Sequence, residues 1–148
     1  ILESPFTVQS EEDSAAQEAI SFEGKKILLV EDNEINQEIA LEILGEVGFV
    51  MDVADDGAVA VEKIREAEPG RYDVVLMDIQ MPIMNGYEAA RQIRAMKDSA
   101  YVDIPIIAMT ANAFDEDRKA AFDAGMNGHI AKPIDTERLF ELLQEILK

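Results

Sequence analysis

Short apolar runs alternate with longer, periodically apolar stretches over most of the chain. Five runs predict strands, and the later ones are almost continuously apolar, which is typical of parallel strands buried on both faces. They are KILLV (26–30), VMDVA (50–54), DVVLM (73–77), IPIIAM (104–109) and GHIA (128–131). Helical spacing predicts one apolar helix face from Ile35, Ile39, Ile43, Leu44 and Val47, and another from Leu139, Leu142, Leu143 and Ile146.

Turn-forming residues mark where the predicted helices end. Gly48 and Gly125 fall at two such ends, and Pro69-Gly70 ends the second helix. The remaining helices are predicted near 57–68, 85–97 and 112–124. Five successive β–α units predict an α/β fold, a doubly wound (βα)5 parallel sheet, for residues 25–148.

Residues 1–24 differ from the rest of the chain. They contain six acidic residues and no lysine or arginine. We interpret this segment as an acidic linker or N-terminal tail. Because the chain begins with Ile1 rather than methionine, we expect it to be part of a longer polypeptide.

The overall charge restricts the classes of partner. A formal net charge of −18 argues against binding to nucleic acid or to an anionic membrane surface. No apolar run approaches membrane-spanning length, and the N-terminus lacks the basic start of a signal peptide. The absence of cysteine excludes disulfide and thiolate chemistry and agrees with a cytoplasmic location.

Polar residues that directly follow the predicted strands are the candidates for chemistry. Glu31 and Asp32 follow the first strand, Asp78 the third, Thr110 the fourth and Lys132 the fifth. In an open parallel sheet, ligands bind outside the carboxyl ends of the strands. The sequence therefore predicts that three acids, a hydroxyl and an amine meet at one edge of the sheet.

Such a cluster of acids is expected to hold a cation. Two carboxylates about 4 Å apart repel each other by roughly 4 kcal/mol at an effective dielectric constant of about 20. Oxygen ligands with open positions favour Mg²⁺, which readily shares a phosphate oxygen. A carboxylate beside a metal is also a known nucleophile that forms an aspartyl phosphate. Asp78 is thus the candidate phosphoacceptor, with Lys132 and Thr110 facing the phosphoryl oxygens.

Each candidate also has an ordinary structural interpretation. Glu31-Asp32 suits a helix start, Thr110 suits a helix cap, and Lys132 suits an ordinary surface position. Met77, Met81 and Met84 are interpreted as packing and turn residues. His129, the only histidine, is interpreted first as a half-buried strand residue.

Four segments together resemble the receiver domain of two-component response regulators. They are LLVEDN, DVVLMDIQMPIMNG, IIAMTA and HIAKP, in this order. The resemblance covers residues 25–148 and implies a CheY-like, flavodoxin-like fold with strand order 2-1-3-4-5. It implies that Asp78 is the phosphoacceptor, that Asp32 binds Mg²⁺ directly, and that Glu31 acts through a metal-bound water.

The same resemblance implies the remaining roles at the site. The backbone carbonyl of Gln80 would complete the metal ligands, and Thr110 and Lys132 would hold the phosphoryl group, with Lys132-Pro133 expected as a cis peptide. Gln80 and Asn112 would tune the lifetime of the phosphoryl group. His129 occupies a position where the family often has an aromatic switch residue, so it is assigned to the switch together with Thr110.

The implied function is that of a phosphorelay receiver. Asp78 would accept a phosphoryl group from a phosphohistidine on a histidine kinase or histidine phosphotransfer protein, with Mg²⁺. The domain would then change conformation, and it would catalyse its own phosphorylation and dephosphorylation without being a turnover enzyme. FEGKKILLVEDNEINQEIA further resembles receivers of hybrid sensor histidine kinases, so we expect this domain to be cytoplasmic, in a parent protein of a class that includes membrane-anchored kinases. The oligomeric state is not predicted.

Three other functions compete with this one. A flavodoxin-like flavin carrier has the same fold, but needs a hydroxyl- and amide-rich phosphate loop where this chain has Glu31 and Asp32. An aspartate-based phosphatase usually has a second acid two residues after the nucleophile, where this chain has Gln80. The third is a receiver that only binds proteins and never accepts a phosphoryl group. The full set of site residues argues against it.

Overall fold

The structure is a computed structural model that describes residues 22–81, 84–110, 115–132 and 134–147, the side chains of 115–117 excepted. Most of the predicted acidic tail lies outside the described residues, as do Asn112 and Pro133. None of the helices within these ranges has the length and apolar character needed to cross a membrane.

Strands and helices alternate along the described chain. The strands are β1 (Lys26–Val30), β2 (Val50–Ala54), β3 (Val74–Asp78), β4 (Ile106–Thr110) and β5 (Gly128–Ala131). The helices are α1 (Glu34–Gly45), α2 (Gly57–Glu66), α3 (Gly86–Arg94), α4 (Asp115–Asp123) and α5 (Thr136–Leu147).

The five strands form one parallel sheet in the order β2-β1-β3-β4-β5. The predicted fold class and strand order are therefore confirmed. β3 and β4 end one residue later than predicted, at Asp78 and Thr110. The reason is that Asp78 still pairs with Met109 in the sheet, and backbone pairing leaves no mark in an apolar pattern.

Two apolar layers cover the two faces of the sheet. On one face, Ala60 and Ile64 of α2 and Ile93 of α3 pack with Val75. On the other face, α1 and α5 pack against β1 and β4. Among the described residues, the polar side chains that are fully buried, Glu31, Asp78 and Thr110, all lie at the carboxyl ends of strands.

The predicted apolar face of α1 is partly wrong. Ile35 and Ile39 are 68% and 48% exposed, whereas Ala40 and Leu44 are the buried residues of this helix. The Asn33 side chain caps the helix by accepting the Asn36 N–H, and Ala40 and Leu44 pack into the apolar core on this face of the sheet. The apolar stripe is therefore wider than the face that contacts the sheet.

Phe22 corrects the predicted boundary of the tail. Its ring stacks on Phe49 with centroids 4.5 Å apart, and its N–H donates to the Val47 carbonyl at 2.9 Å. Phe22 is buried. The packed domain therefore starts at least three residues before Lys25, while the role of residues 1–21 stays a prediction.

Candidate functional site

Three strand ends place charged side chains on one side of the sheet. Glu31 directly follows β1, Asp78 is the last residue of β3, and Lys132 directly follows β5. They continue the alternation of Leu29, Leu76 and Ile130, whose side chains face α1 and α5. Glu31 and Asp78 are only 2% and 3% exposed, so both carboxyl groups are removed from bulk water.

Lys132 lies between the two buried carboxyl groups. Its Nζ is 3.0 Å from Oε1 of Glu31 and 3.2 Å from Oδ2 of Asp78. Its backbone N–H donates to the Thr110 carbonyl at 2.7 Å, which holds the lysine at the end of β4. The Lys132 ammonium group thus forms an ion pair with each of the two carboxylates.

The pKa shifts follow from this sharing. Burial and then the charge of Glu31 raise the pKa of Asp78 to about 6. Burial alone would raise the pKa of Glu31, but hydrogen bonds from Lys132 and from the Asn33 N–H lower it. Burial alone would lower the pKa of Lys132, but Glu31 and Asp78 raise it. With both acids ionised, the group carries one negative charge in excess.

Asp32 completes a cluster suited to a hard cation. Carboxylate oxygens of Glu31, Asp32 and Asp78 lie within 4.8 Å of one another. Asp32 is exposed, so water can occupy the open side of the cluster. The oxygen ligands, the excess charge and the access for water together fit Mg²⁺.

Gln80 approaches Asp78 through its backbone. Its N–H donates to Oδ1 of Asp78 at 3.2 Å, and its side chain is exposed. The carboxyl group of Asp78 is therefore fixed by a backbone donor on one oxygen and by Lys132 on the other.

The Asn85-Gly86 pair positions the connection after β3. The Asn85 side chain caps α3 by accepting the Glu88 N–H at 2.9 Å. A Cβ on Gly86 would lie 2.5 Å from the Asp78 carbonyl oxygen, closer than any side chain tolerates. Glycine at this position therefore lets α3 start against the backbone of the candidate phosphoacceptor.

Thr110 and His129 lie near each other on the opposite side of the sheet. Thr110 pairs with Ala131 and His129 pairs with Ala108, which places both side chains on the same face. Thr110 is buried. His129 is half-buried and, with Arg118 and Phe122, lines a cavity of about 170 Å³. Asn112 lies outside the described residues.

Sequence reasoning missed an apolar surface beside the acids. Ile39 and Ala40 of α1, together with Met109 and Ile134, line a cavity of about 140 Å³ that Glu31 and Lys132 also border. Exposed Ile35 lies on the same helix. The only signal for this surface was the unusually wide apolar stripe of α1.

Comparison with known proteins identifies relatives of most of the described domain. Residues 27–144 match the family model described as the response regulator receiver domain. Hybrid signal transduction histidine kinase L of Dictyostelium discoideum is 40% identical over 121 residues, which is 81% of this chain. The chain spans 7% of the length of that kinase.

Two solved structures resemble this chain closely. The receiver domain of sensor histidine kinase PA1611 from Pseudomonas aeruginosa PAO1 is 41% identical with a TM-score of 0.74, covering 83% of this chain and 97% of that one. It contains a magnesium ion in its active-site cleft. The receiver domain of Ssk1 from Saccharomyces cerevisiae, solved with the phosphotransfer protein Ypd1, is 30% identical with a TM-score of 0.75. That match covers 84% of this chain and 90% of the other.

Proposed function

The chain belongs to the response regulator receiver domain family and is a receiver domain of histidine kinase phosphorelay signalling; we propose that Asp78 is its phosphoacceptor. The observation that carries this proposal is the environment of Asp78. It is a buried carboxyl group at the tip of the central strand, held by one backbone donor and by a lysine that it shares. Because Asp78 shares Lys132 with Glu31, its carboxylate can accept a further bond.

The transfer replaces a P–N bond with a P–O bond. A carboxylate oxygen of Asp78 attacks the phosphorus of a phosphohistidine, and the imidazole nitrogen leaves with the electron pair of the P–N bond. Lys132 and the Thr110 hydroxyl donate to the phosphoryl oxygens as charge develops on them. The products are an aspartyl phosphate and an unphosphorylated histidine.

Magnesium is proposed as the resident cation. Asp32 and Asp78 would bind it directly, together with the Gln80 carbonyl, and Glu31 would act through a bound water. When bound, the ion offsets the negative charge that the phosphoryl group adds to the acidic cluster. The magnesium ion in the related PA1611 receiver supports this assignment.

The proposed donor is the phosphohistidine of a histidine kinase or a histidine phosphotransfer protein. The Ssk1 receiver in complex with Ypd1 supports a partner of this class. Ile35 and Ile39 expose apolar surface on α1, and the small cavity between Ile39 and Ile134 adjoins Lys132. An apolar helix face that docks there would bring its histidine to Asp78.

Phosphorylation of Asp78 is tested directly by intact-mass analysis. With Mg²⁺ and acetyl phosphate, the wild-type chain should gain one phosphoryl group and Asp78→Asn should gain none. Asp98→Asn is the matched control, because Asp98 is an exposed aspartate before β4, away from the acidic cluster. A phosphoryl gain in Asp78→Asn equal to that of wild type would refute Asp78 as the acceptor.

The proposed switch joins Thr110 to His129. A phosphoryl group on Asp78 would draw the Thr110 hydroxyl towards it, and His129 on the same face of the sheet would fill the vacated space. The surface formed by α4, β5 and α5 would then change shape. One charge-assisted hydrogen bond contributes about 1.5–3 kcal/mol, enough for roughly a ten- to hundredfold shift in population.

This switch is tested by amide shift changes on activation in NMR spectra. Thr110→Ala should still accept phosphate but show much smaller shift changes over residues 115–132. His129→Ala should weaken the response less, because filling space matters less than the hydrogen bond. A wild-type response in Thr110→Ala would exclude this route.

The remaining expectations stay predictions. We expect the domain to catalyse its own phosphorylation and dephosphorylation and to be cytoplasmic. We also expect Gln80 and Asn112 to tune the lifetime of the phosphoryl group. The exposed Gln80 side chain agrees with a role at the entrance to Asp78. Phosphoryl loss measured over time in a Gln80→Ala variant would test it.

A further inference from the structure

We propose that Gln37 is a positioning residue for the cation site, because its side-chain amide fixes the peptide unit that carries Asp32. This inference rests on the proposed function, since it concerns the same site. Gln37 lies on α1, six residues after Glu31, and it is half-buried.

The Gln37 amide connects the ends of two strands. Its Nε2 donates to the Glu31 carbonyl oxygen at 2.6 Å and to Oδ1 of Asp55 at 3.0 Å. Asp55 directly follows β2, and Ala54 before it accepts the Glu31 N–H at 3.0 Å. Glu31, Gln37, Asp55 and Ala54 therefore form a closed arrangement across the ends of β1 and β2.

The bond to the Glu31 carbonyl acts on Asp32. The carbonyl of Glu31 and the N–H of Asp32 belong to one planar peptide unit. The Glu31 side chain is held separately, by hydrogen bonds from Lys132 and from the Asn33 N–H. Asp32 is exposed, so the direction of its carboxylate depends on the orientation of that peptide. The Gln37 side chain donates to the carbonyl of this peptide unit.

Positioning of one ligand has a specific consequence for metal choice. Mg²⁺ requires nearly ideal octahedral geometry at short distances, whereas Ca²⁺ accepts flexible arrangements at longer ones. Loss of a group that orients a ligand typically weakens metal binding by 10- to 100-fold, and we expect about tenfold for Mg²⁺ here. The loss for Ca²⁺ should be clearly smaller.

Isothermal titration of the full 148-residue chain with Mg²⁺ and with Ca²⁺ tests this. Gln37→Met keeps the shape of the side chain and removes its donor, and Gln37→Ala repeats the test with a strong helix former. Gln92→Met is the matched control, because Gln92 donates to Glu88 Oε2 at 3.2 Å on the solvent-exposed side of α3. Both Gln37 variants should lose Mg²⁺ affinity selectively, and the Gln92 variant should match wild type.

A further variant separates geometry from charge. Asp55→Asn keeps an acceptor for Gln37 but removes a negative charge near the site. If Asp55→Asn reproduces the selective loss of Mg²⁺, the charge of Asp55 explains the effect and the inference is overturned. Equal losses for Mg²⁺ and Ca²⁺ in the Gln37 variants overturn it too, since a general disturbance of the fold would act on both ions.

The test also distinguishes this inference from the proposed function. If the Gln37 variants bind Mg²⁺ as wild type does while Asp78→Asn abolishes phosphorylation, the positioning role is wrong and the proposed function stands. If wild type itself binds no Mg²⁺, both the metal assignment and the positioning role are wrong.

Discussion

Asp52 and Asp78 lie on the same sheet and each contacts a lysine, yet their pKa values shift in opposite directions. Asp52 on the edge strand β2 accepts the Tyr72 hydroxyl at 2.6 Å and Lys63 Nζ at 3.3 Å. Burial alone would raise the pKa of Asp52, but these hydrogen bonds lower it. Burial and the neighbouring Glu31 charge instead raise the pKa of Asp78 to about 6.

The difference lies in how the cations are distributed. Asp52 has Lys63, and the Arg71 guanidinium is 3.6 Å away, so one acid has two cations. Asp78 and Glu31 share Lys132, so two acids have one cation. Asp52, which has two cations, contributes to the stability of the fold. Asp78, which shares one cation with a second acid, can still bind a metal cation or a phosphoryl group.

Removing the lysine beside each acid should give the largest difference in stability between the two sites. Lys132→Met leaves two buried carboxylates without their cation, and should lower the free energy of unfolding at pH 7 by about 3 kcal/mol. Lys63→Met leaves Asp52 with Tyr72 and Arg71, and should cost about 0–1 kcal/mol because this pair is partly exposed. Urea unfolding measures both values. Equal losses in the two variants would contradict the distinction.

Neutralising each acid should give effects of opposite sign. At pH 7.5 without Mg²⁺, Asp78→Asn should be more stable than wild type by about 1–3 kcal/mol, and Asp52→Asn less stable by about 1 kcal/mol. The physical reason is that an amide in place of the Asp78 carboxylate carries no charge beside Glu31, whereas an amide in place of the Asp52 carboxylate accepts weaker hydrogen bonds. Urea unfolding in the same buffer measures both differences.

The pH dependence of stability tests the charge states of Asp78 and Asp52. The raised pKa of Asp78 means that protonation stabilises the fold fully below pH 3.8, and this contribution is lost as the pH rises through about 6. The advantage of Asp78→Asn should therefore be absent near pH 3.8 and grow up to about pH 7. The contribution of Asp52 has the opposite sign, and is lost as the pH falls below 3.8. An advantage of Asp78→Asn that does not change with pH would contradict the assigned charge state.

The last prediction concerns the Tyr72 hydroxyl. Tyr72→Phe removes one donor to Asp52 and should cost about 1 kcal/mol of unfolding free energy, since Asp52 keeps its two cations. Phosphorylation of Asp78 and Mg²⁺ binding should be unchanged. Urea unfolding and intact-mass analysis of the same variant measure both. A change in phosphorylation would mean that the Asp52 cluster and the site are coupled.

The fold class and the candidate site residues could both be predicted from the sequence. Alternating apolar runs and helical spacing were enough to predict five β–α units, because burial on both faces of a parallel sheet requires nearly continuous apolar strands. The candidate site residues were the polar residues that follow those runs, namely Glu31, Asp32, Asp78, Thr110 and Lys132. Strand order came from resemblance to a family, since periodicity carries no information on which strands pair.

The interactions among these groups depend on how the folded chain brings them together. Glu31 and Asp78 share Lys132, and the pKa of Asp78 is raised. Both features depend on contacts between residues that are far apart in the sequence, since Lys132 and Glu31 are separated by 101 positions. The rotation of α1, which exposes Ile35 and buries Ala40, is a matter of packing against the sheet, and the apolar stripe alone did not indicate it. Gln37 carried no sequence signal, because a hydrogen bond to a backbone carbonyl depends on where that carbonyl lies in space and not on residue type.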